Sequence, residues 1–325
     1  MKKTLAPAAA LAAAVALAAC GGGEVESGGG GGDAATAGTL TPVTVGVMPI
    51  VDTAAIFLGE KEGIFAEHGL DLTFEMAQGG AAIIPAVVSG TYDFGFSNVP
   101  SLIVATGQGL PLRLIAPANT TTGDTKSDFS AVVVPEGSDI HNPSDLAGHT
   151  VAVSTLKNIG DVTVSHVVKG AGGDPSAIEF VEMPFPDMPA ALASGRVDAI
   201  WVLEPFLTIA KNDGGRVISH NYAETDPDLL IAAYFTTGDY ATENADTVEA
   251  FTAAMAESQS FARDNPDDAR AILGEYTEIS PEVREQLVMP EFPTELSAEA
   301  VELHADLALE YGLVSEPVDV AALLP

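Results

Sequence analysis

The 325-residue sequence predicts an α/β protein of two lobes, each a mostly parallel sheet flanked by helices, with two hinge crossings between them. Three observations carry this. Short apolar runs alternate with segments of helical spacing, the pattern of βαβ units. The same alternation restarts after a polar break near residue 120. Once the N-terminal forty residues are set aside, roughly 280 remain, more than one ordinary domain.

The elements follow in order. Val43–Val47 reads as a first strand. Residues 54–67 have helical spacing, with Ile56, Phe57, Ile64 and Phe65 on the apolar face and Gly69 as a stop. Asp71–Met76 alternates as a strand, Gly79–Gly80 opens a helix through Val88, and residues 92–96 form a short strand. A helix over 100–106 and a strand over 112–116 complete the first run. Residues 119–128, rich in Asn, Thr, Gly and Asp, mark the crossing to the second lobe.

Strands are expected at 129–134, 151–153, 178–181, 199–202 and 216–218. A helical turn at 143–146 and helices at 159–169, 188–193 and 205–212 lie between them. Residues 224–228 read as a polar turn, and 229–236 as the return crossing. Beyond Asn244 the chain is mostly helical: 244–263, 266–274, 281–288 and 297–310. The division is therefore 42–120 with 232–325 for the first lobe, and 121–231 for the second.

The N-terminus has the form of a processing signal. Lys2 and Lys3 precede an apolar stretch from Leu5 to Ala19, ending in Leu17-Ala18-Ala19-Cys20. A charged start, an apolar middle and small residues at the end describe a secretory signal over residues 1–19. The stretch is short for a span, which needs about 20 apolar residues. The tetrapeptide resembles a bacterial lipobox, which implies a diacylglyceryl group on Cys20. Residues 20–41 are rich in Gly, Ala, Ser and Thr and read as a flexible lipidated linker.

Composition excludes several function classes. The formal charge is −33, with 13 basic against 46 acidic residues, which opposes nucleic-acid binding. Cys20 is the single cysteine, so neither an intrachain disulfide nor a cysteine-based zinc site is available. The six histidines form no close pair, and no metal or cofactor is expected.

Four stretches together resemble the nitrate/sulfonate/taurine branch of bacterial solute-binding proteins, whose fold also includes binders of thiamine-pyrimidine precursors. They are Ile84-Pro-Ala-Val-Val-Ser-Gly-Thr-Tyr-Asp-Phe-Gly-Phe-Ser-Asn98, Leu146-Ala-Gly-His-Thr-Val-Ala-Val153, Phe180-Val-Glu-Met-Pro-Phe-Pro-Asp-Met-Pro-Ala-Ala-Leu192 and Gly195-Arg-Val-Asp-Ala-Ile-Trp-Val-Leu-Glu-Pro-Phe206. The resemblance covers about residues 43–290. It implies a type II periplasmic-binding-protein-like fold, a monomer that binds a small organic or anionic ligand (a sulfonate, nitrate, taurine or a pyrimidine-like molecule) in the cleft, and delivery to an ABC permease with a cytoplasmic ATPase. It places the protein on the extracytoplasmic face, held by its lipid. A ligand-loaded sensor for a membrane receptor would use the same lobes. Eukaryotic thiamine-pyrimidine synthases resemble this fold too, but their cysteine-rich, histidine-dependent site has no counterpart here.

Ligands of open α/β sheets sit beyond the carboxyl ends of the strands. In the first lobe that rule selects Asp52 and Thr53, then Gln78, Gly79 and Gly80, then Ser97 and Asn98, and Asn119 at the crossing. In the second it selects Thr155, Lys157 and Asn158, then Trp201 and Glu204. Asp52 either holds a ligand N–H group or caps the helix that follows. Gly79 and Gly80 either present free N–H groups or make a tight turn. Lys157 either pairs with an anion or is solvated. Trp201 and Glu204 either form a plate beside a carboxylate or serve packing and a helix start. The pairing of acids with so few bases leans towards a neutral or nitrogen-containing ligand.

Overall fold

The computed structural model describes residues 39–325. The expected signal segment, Cys20 and nearly all of the linker lie outside the described residues. Among the described residues no helix is long and apolar enough to cross a membrane.

Ten strands form two sheets: β1 (Thr41–Val47), β2 (Leu70–Met76), β3 (Phe94–Asn98), β4 (Leu112–Thr120), β5 (Ser130–Pro135), β6 (Thr150–Val153), β7 (Glu179–Glu182), β8 (Ala199–Leu203), β9 (Gly215–Ser219) and β10 (Leu230–Thr237). The first sheet has the order β2-β1-β3-β10-β4 and the second β7-β6-β8-β5-β9. In each, four strands share one direction and one runs antiparallel: β10 in the first, β5 in the second. That strand is always the one arriving from the other sheet. Both sheets are thus mixed, and the carboxyl ends of their parallel strands point towards one another across the crossings.

Buried apolar side chains explain why these segments are strands. Val43, Val45 and Val47 alternate inward on β1, and β5 and β8 are buried along their length. Two glycines let a helix lie close on the first sheet. A Cβ on Gly46 or on Gly95 would fall 2.6 Å from Ile83 Cγ2. The helix Gly80–Val88 can therefore sit directly on β1 and β3, which aims its first turn at the carboxyl edge. Behind the sheet, Phe251 of the helix Ala245–Asp264 stacks on Phe94, with ring centroids 4.1 Å apart.

Several elements differ from the sequence reading. The expected helix 54–67 is two helices, Ala54–Lys61 and Ile64–Glu67, because Gly63 takes a left-handed φ of 82°. Strand β3 begins two residues late: the N–H groups of Thr91 and Tyr92 both donate back to Ala86 O and finish the preceding helix. The expected polar turn 224–228 overlaps a helix at Asn221–Thr225. Only Pro281–Arg284 of 281–288 is helical, and 266–274 breaks into Pro266–Ala271 and Leu273–Tyr276. Short helices at Gly238–Glu243 and Val320–Leu323 carried no legible period.

The crossings are pinned on both sides. Asp128 accepts from Thr121 Oγ1 (2.6 Å), Thr122 N (3.1 Å) and Phe129 N (2.9 Å). His304 of the helix Ala298–Glu310 is fully buried against the Leu230 carbonyl at the start of β10. Burial there lowers its pKa to about 4.

Helix Ile159–Gly170 packs on the second sheet through Gly160, where a Cβ would lie 2.7 Å from Trp201 Cζ3. Gly160→Ala is expected to destabilise the protein by about 1–3 kcal/mol through overpacking, read as a lower denaturant midpoint with unchanged slope.

Candidate functional site

A small cavity lies where the two sheets face each other. Met48, Asp52, Gly79, Gly80, Phe96 and Asn98 line it from the first lobe. Thr155, Asn158, Phe185, Trp201 and Tyr222 line it from the second. The lobes meet around it, leaving a cavity of about 30 Å³.

Asp52 is the most unusual group of this cavity. After β1 the chain makes one 3-10 turn at Val51–Thr53, held by Thr53 Oγ1 donating to the carbonyls of Met48 (2.7 Å) and Ile50 (3.0 Å). Thr53 is thereby spent on the turn and does not line the cavity. The helix that follows has no side-chain cap, so Asp52 is not the cap that the sequence allowed. Asp52 is buried; its Oδ1 accepts from Asn119 Nδ2 at 3.0 Å, and its Oδ2 has no partner. Burial pushes its carboxyl up to about 7, with the Asn119 bond pulling the other way.

Three further buried oxygens near this point lack partners: Asn119 Oδ1, Ser97 Oγ and Tyr222 Oη. Ser97 lies under the helix start, where a Cβ on Gly80 would come within 2.7 Å of its Oγ. Tyr222 approaches Ser130, whose Oγ accepts from Trp201 Nε1 (3.0 Å) and donates to Asn221 Oδ1 (3.3 Å). Burial, with the Asp52 carboxyl nearby, raises the Tyr222 pKa well above the ordinary phenol value. Buried polar atoms are normally paired; of these four, Asp52 and Tyr222 line the cavity, while Asn119 and Ser97 do not.

The remaining expected residues divide into structural and peripheral roles. Asn98 Oδ1 caps the helix Val99–Gly107 by accepting from Ser101 N at 3.0 Å. Asn158 caps the helix Ile159–Gly170, and its Nδ2 donates to Ser101 Oγ at 2.6 Å, a direct bond between the lobes. Thr155 faces Gly79 across the cavity, its Oγ1 3.7 Å from where a Cβ would stand. Trp201 forms part of the wall and tilts against Phe185 at 5.3 Å. Gln78 and Lys157 are exposed and line no part of this cavity. Glu204 is buried outside it, accepting from Thr208 N (3.0 Å), Thr208 Oγ1 (2.9 Å) and Val288 N (3.4 Å). It ties the two lobes rather than facing a ligand.

Tyr222, Phe96 and Phe185 were missed in the sequence. Tyr222 follows the carboxyl end of β9, where the strand-end rule would have found it. The acidic run at 224–228 hid the helix that carries it. Among the described residues no cluster of His, Cys, Asp and Glu is placed to hold a metal.

The raised Asp52 pKa has a definite consequence for the free protein. Between the unfolded value near 3.8 and the folded value near 7, the native state keeps a proton that the unfolded chain has released. Stability attributable to Asp52 is therefore lost as pH rises through that window. Asp52→Asn should remove the slope, so the variant gains on the wild type from pH 4 to pH 8 in paired thermal melts.

With this geometry in place, the comparisons with known proteins are consistent. The family profile described as "NMT1/THI5 like" matches residues 51–269. The formylaminopyrimidine-binding protein of Halalkalibacterium halodurans is 24% identical over 67% of this chain and 64% of its own length, so the chain spans under two thirds of that relative. The taurine-binding periplasmic protein of Escherichia coli is 24% identical over 69% of this chain and 68% of its own. Among solved structures, the periplasmic aliphatic sulphonate binding protein SsuA from Escherichia coli superposes with a TM-score of 0.71 at 20% identity, over 86% of this chain and 91% of that one. The periplasmic nitrate-binding protein NrtA from Synechocystis reaches 0.75 at 15% identity, over 88% and 86%. These structures share the fold: two α/β lobes of the periplasmic-binding-protein type. The chain belongs to the NMT1/THI5-like family.

Proposed function

We propose that this protein is the solute-binding component of an ABC importer, held on the extracytoplasmic face by lipid on Cys20, and that it binds a small molecule between its lobes (42–120 with 232–325, and 121–231) without turning it over. The observation that carries the reading is the cavity lined from both lobes and holding unpartnered buried polar atoms from each. Such atoms are satisfied when a solute fills the space. The relatives and the matching fold support the same reading, since those similar proteins are described as binding proteins.

The mechanism follows from geometry. A solute that touches Asp52 on one side and Tyr222 on the other favours the arrangement in which the lobes meet. Three contacts outside the solute help hold it: the Asn158–Ser101 bond, the Glu204–Val288 bond and the ion pair of Lys169 with Glu310. The permease then recognises the closed pair of lobes.

At a hundredfold excess over Kd, a solute adds about 2.7 kcal/mol of stability, which for a chain of this size raises Tm by about 4–5 °C. The same solute should reduce the radius of gyration in small-angle scattering. A bound solute that leaves the scattering unchanged contradicts closure, and measurable conversion of the solute contradicts the binding role. Lys169→Ala should weaken affinity about two- to fivefold at low salt and not at high salt, because the ion pair is exposed.

A further inference from the structure

Given that the cavity is the solute site, the charges around it say what kind of solute it takes. Among the described residues that line it, Asp52 is the single acid and there is no Lys, Arg or His. The nearest basic candidate from the sequence, Lys157, belongs to a separate groove. The one further charged influence on Asp52 is another acid, Asp128. The protein thus buries a carboxyl with no cation of its own beside it. Burial keeps it protonated below about pH 7, and the ionised form needs a cationic partner.

Hydrogen-bond capacity points the same way. Asp52 Oδ2 and Asn119 Oδ1 are both unpartnered, and once Asp52 is ionised both are acceptors. Beside the ionised Asp52, Asn119 has no freedom to reverse its amide, because that would set its oxygen against Asp52 Oδ1, where Nδ2 now donates at 3.0 Å. The Tyr222 hydroxyl adds an oxygen from the second lobe. The aromatic side chains of Phe96, Phe185 and Trp201 complete the walls.

We propose that the solute carries a positively charged nitrogen, an ammonium or amidinium group, which docks on Asp52 Oδ2 from the first lobe and meets Tyr222 Oη from the second. An ammonium or amidinium offers several N–H donors to these acceptors and supplies the charge that Asp52 lacks. An oxyanion at the same point would face the ionised Asp52 with no protein cation to offset the repulsion. Asp52 is the charge reader of the site, and Tyr222 makes the reading depend on lobe closure.

Calorimetric titration with two isosteric sets tests this: benzamidine, benzamide and benzoate, then acetamidine, acetamide and acetate. The amidine of at least one set should bind about tenfold or more tightly than its carboxylate. Asp52→Asn should lower amidine affinity by about tenfold or more and leave the amide nearly unchanged. Tyr222→Phe keeps the ring and packing, and should cost about threefold or more. Preference for the carboxylates, or amidine binding indifferent to both variants, overturns the proposal. Nitrate, methanesulfonate and taurine form a third arm. Closure by nitrate or methanesulfonate alone sinks the cation and keeps the solute-binding reading. Failure of every compound to bind counts against both.

Discussion

A buried carboxyl with one hydrogen bond and no protein cation organises this molecule's candidate site. Asp52 sits in the turn that follows β1, where the carboxyl edges of both sheets converge, and takes its single side-chain bond from Asn119 on β4. That bond joins the site to the crossing. Asn119 pairs in register with Ala232 on β10, the strand that returns from the second lobe. Whatever draws on Asp52 therefore acts beside both connections between the lobes.

The symmetry of the two sheets explains why such a site exists. Each sheet accepts one antiparallel strand from the chain's excursion through the other, so both crossings run along one side. The parallel carboxyl ends are left facing each other, and the loops beyond them have no other partner. Close packing then fixes the details. Gly46 and Gly95 admit the helix Gly80–Val88 onto the first sheet, and Gly160 admits the helix Ile159–Gly170 onto Trp201. Both helices begin at the cavity, one from each lobe.

Much of this was legible in the sequence because period and position agree. The alternation of strands and helices gave the two sheets, and the strand-end rule reached Asp52, Gly79, Gly80, Asn98, Thr155, Asn158 and Trp201. It could not say which side chains were already committed. Thr53, Asn98, Asn158 and Glu204 all carry polar groups suited to a ligand, yet each holds backbone or another side chain in place. Local hydrogen bonds of that kind depend on three-dimensional distance, which spacing does not encode. Tyr222 was hidden for a different reason: its helix has only five residues, too few for a period, and ends among acids.

Asp52 ties these observations together, because its proton is the quantity that a solute cation must displace. Burial holds the carboxyl up to about 7, so at pH 6 the free protein keeps most of that proton. The direct measurement is calorimetric titration of benzamidine at pH 6 in buffers of different ionisation enthalpy, which counts protons exchanged on binding. Nearly one proton should leave the wild-type protein and none the Asp52→Asn variant. Binding that releases no proton from the wild type would contradict the account.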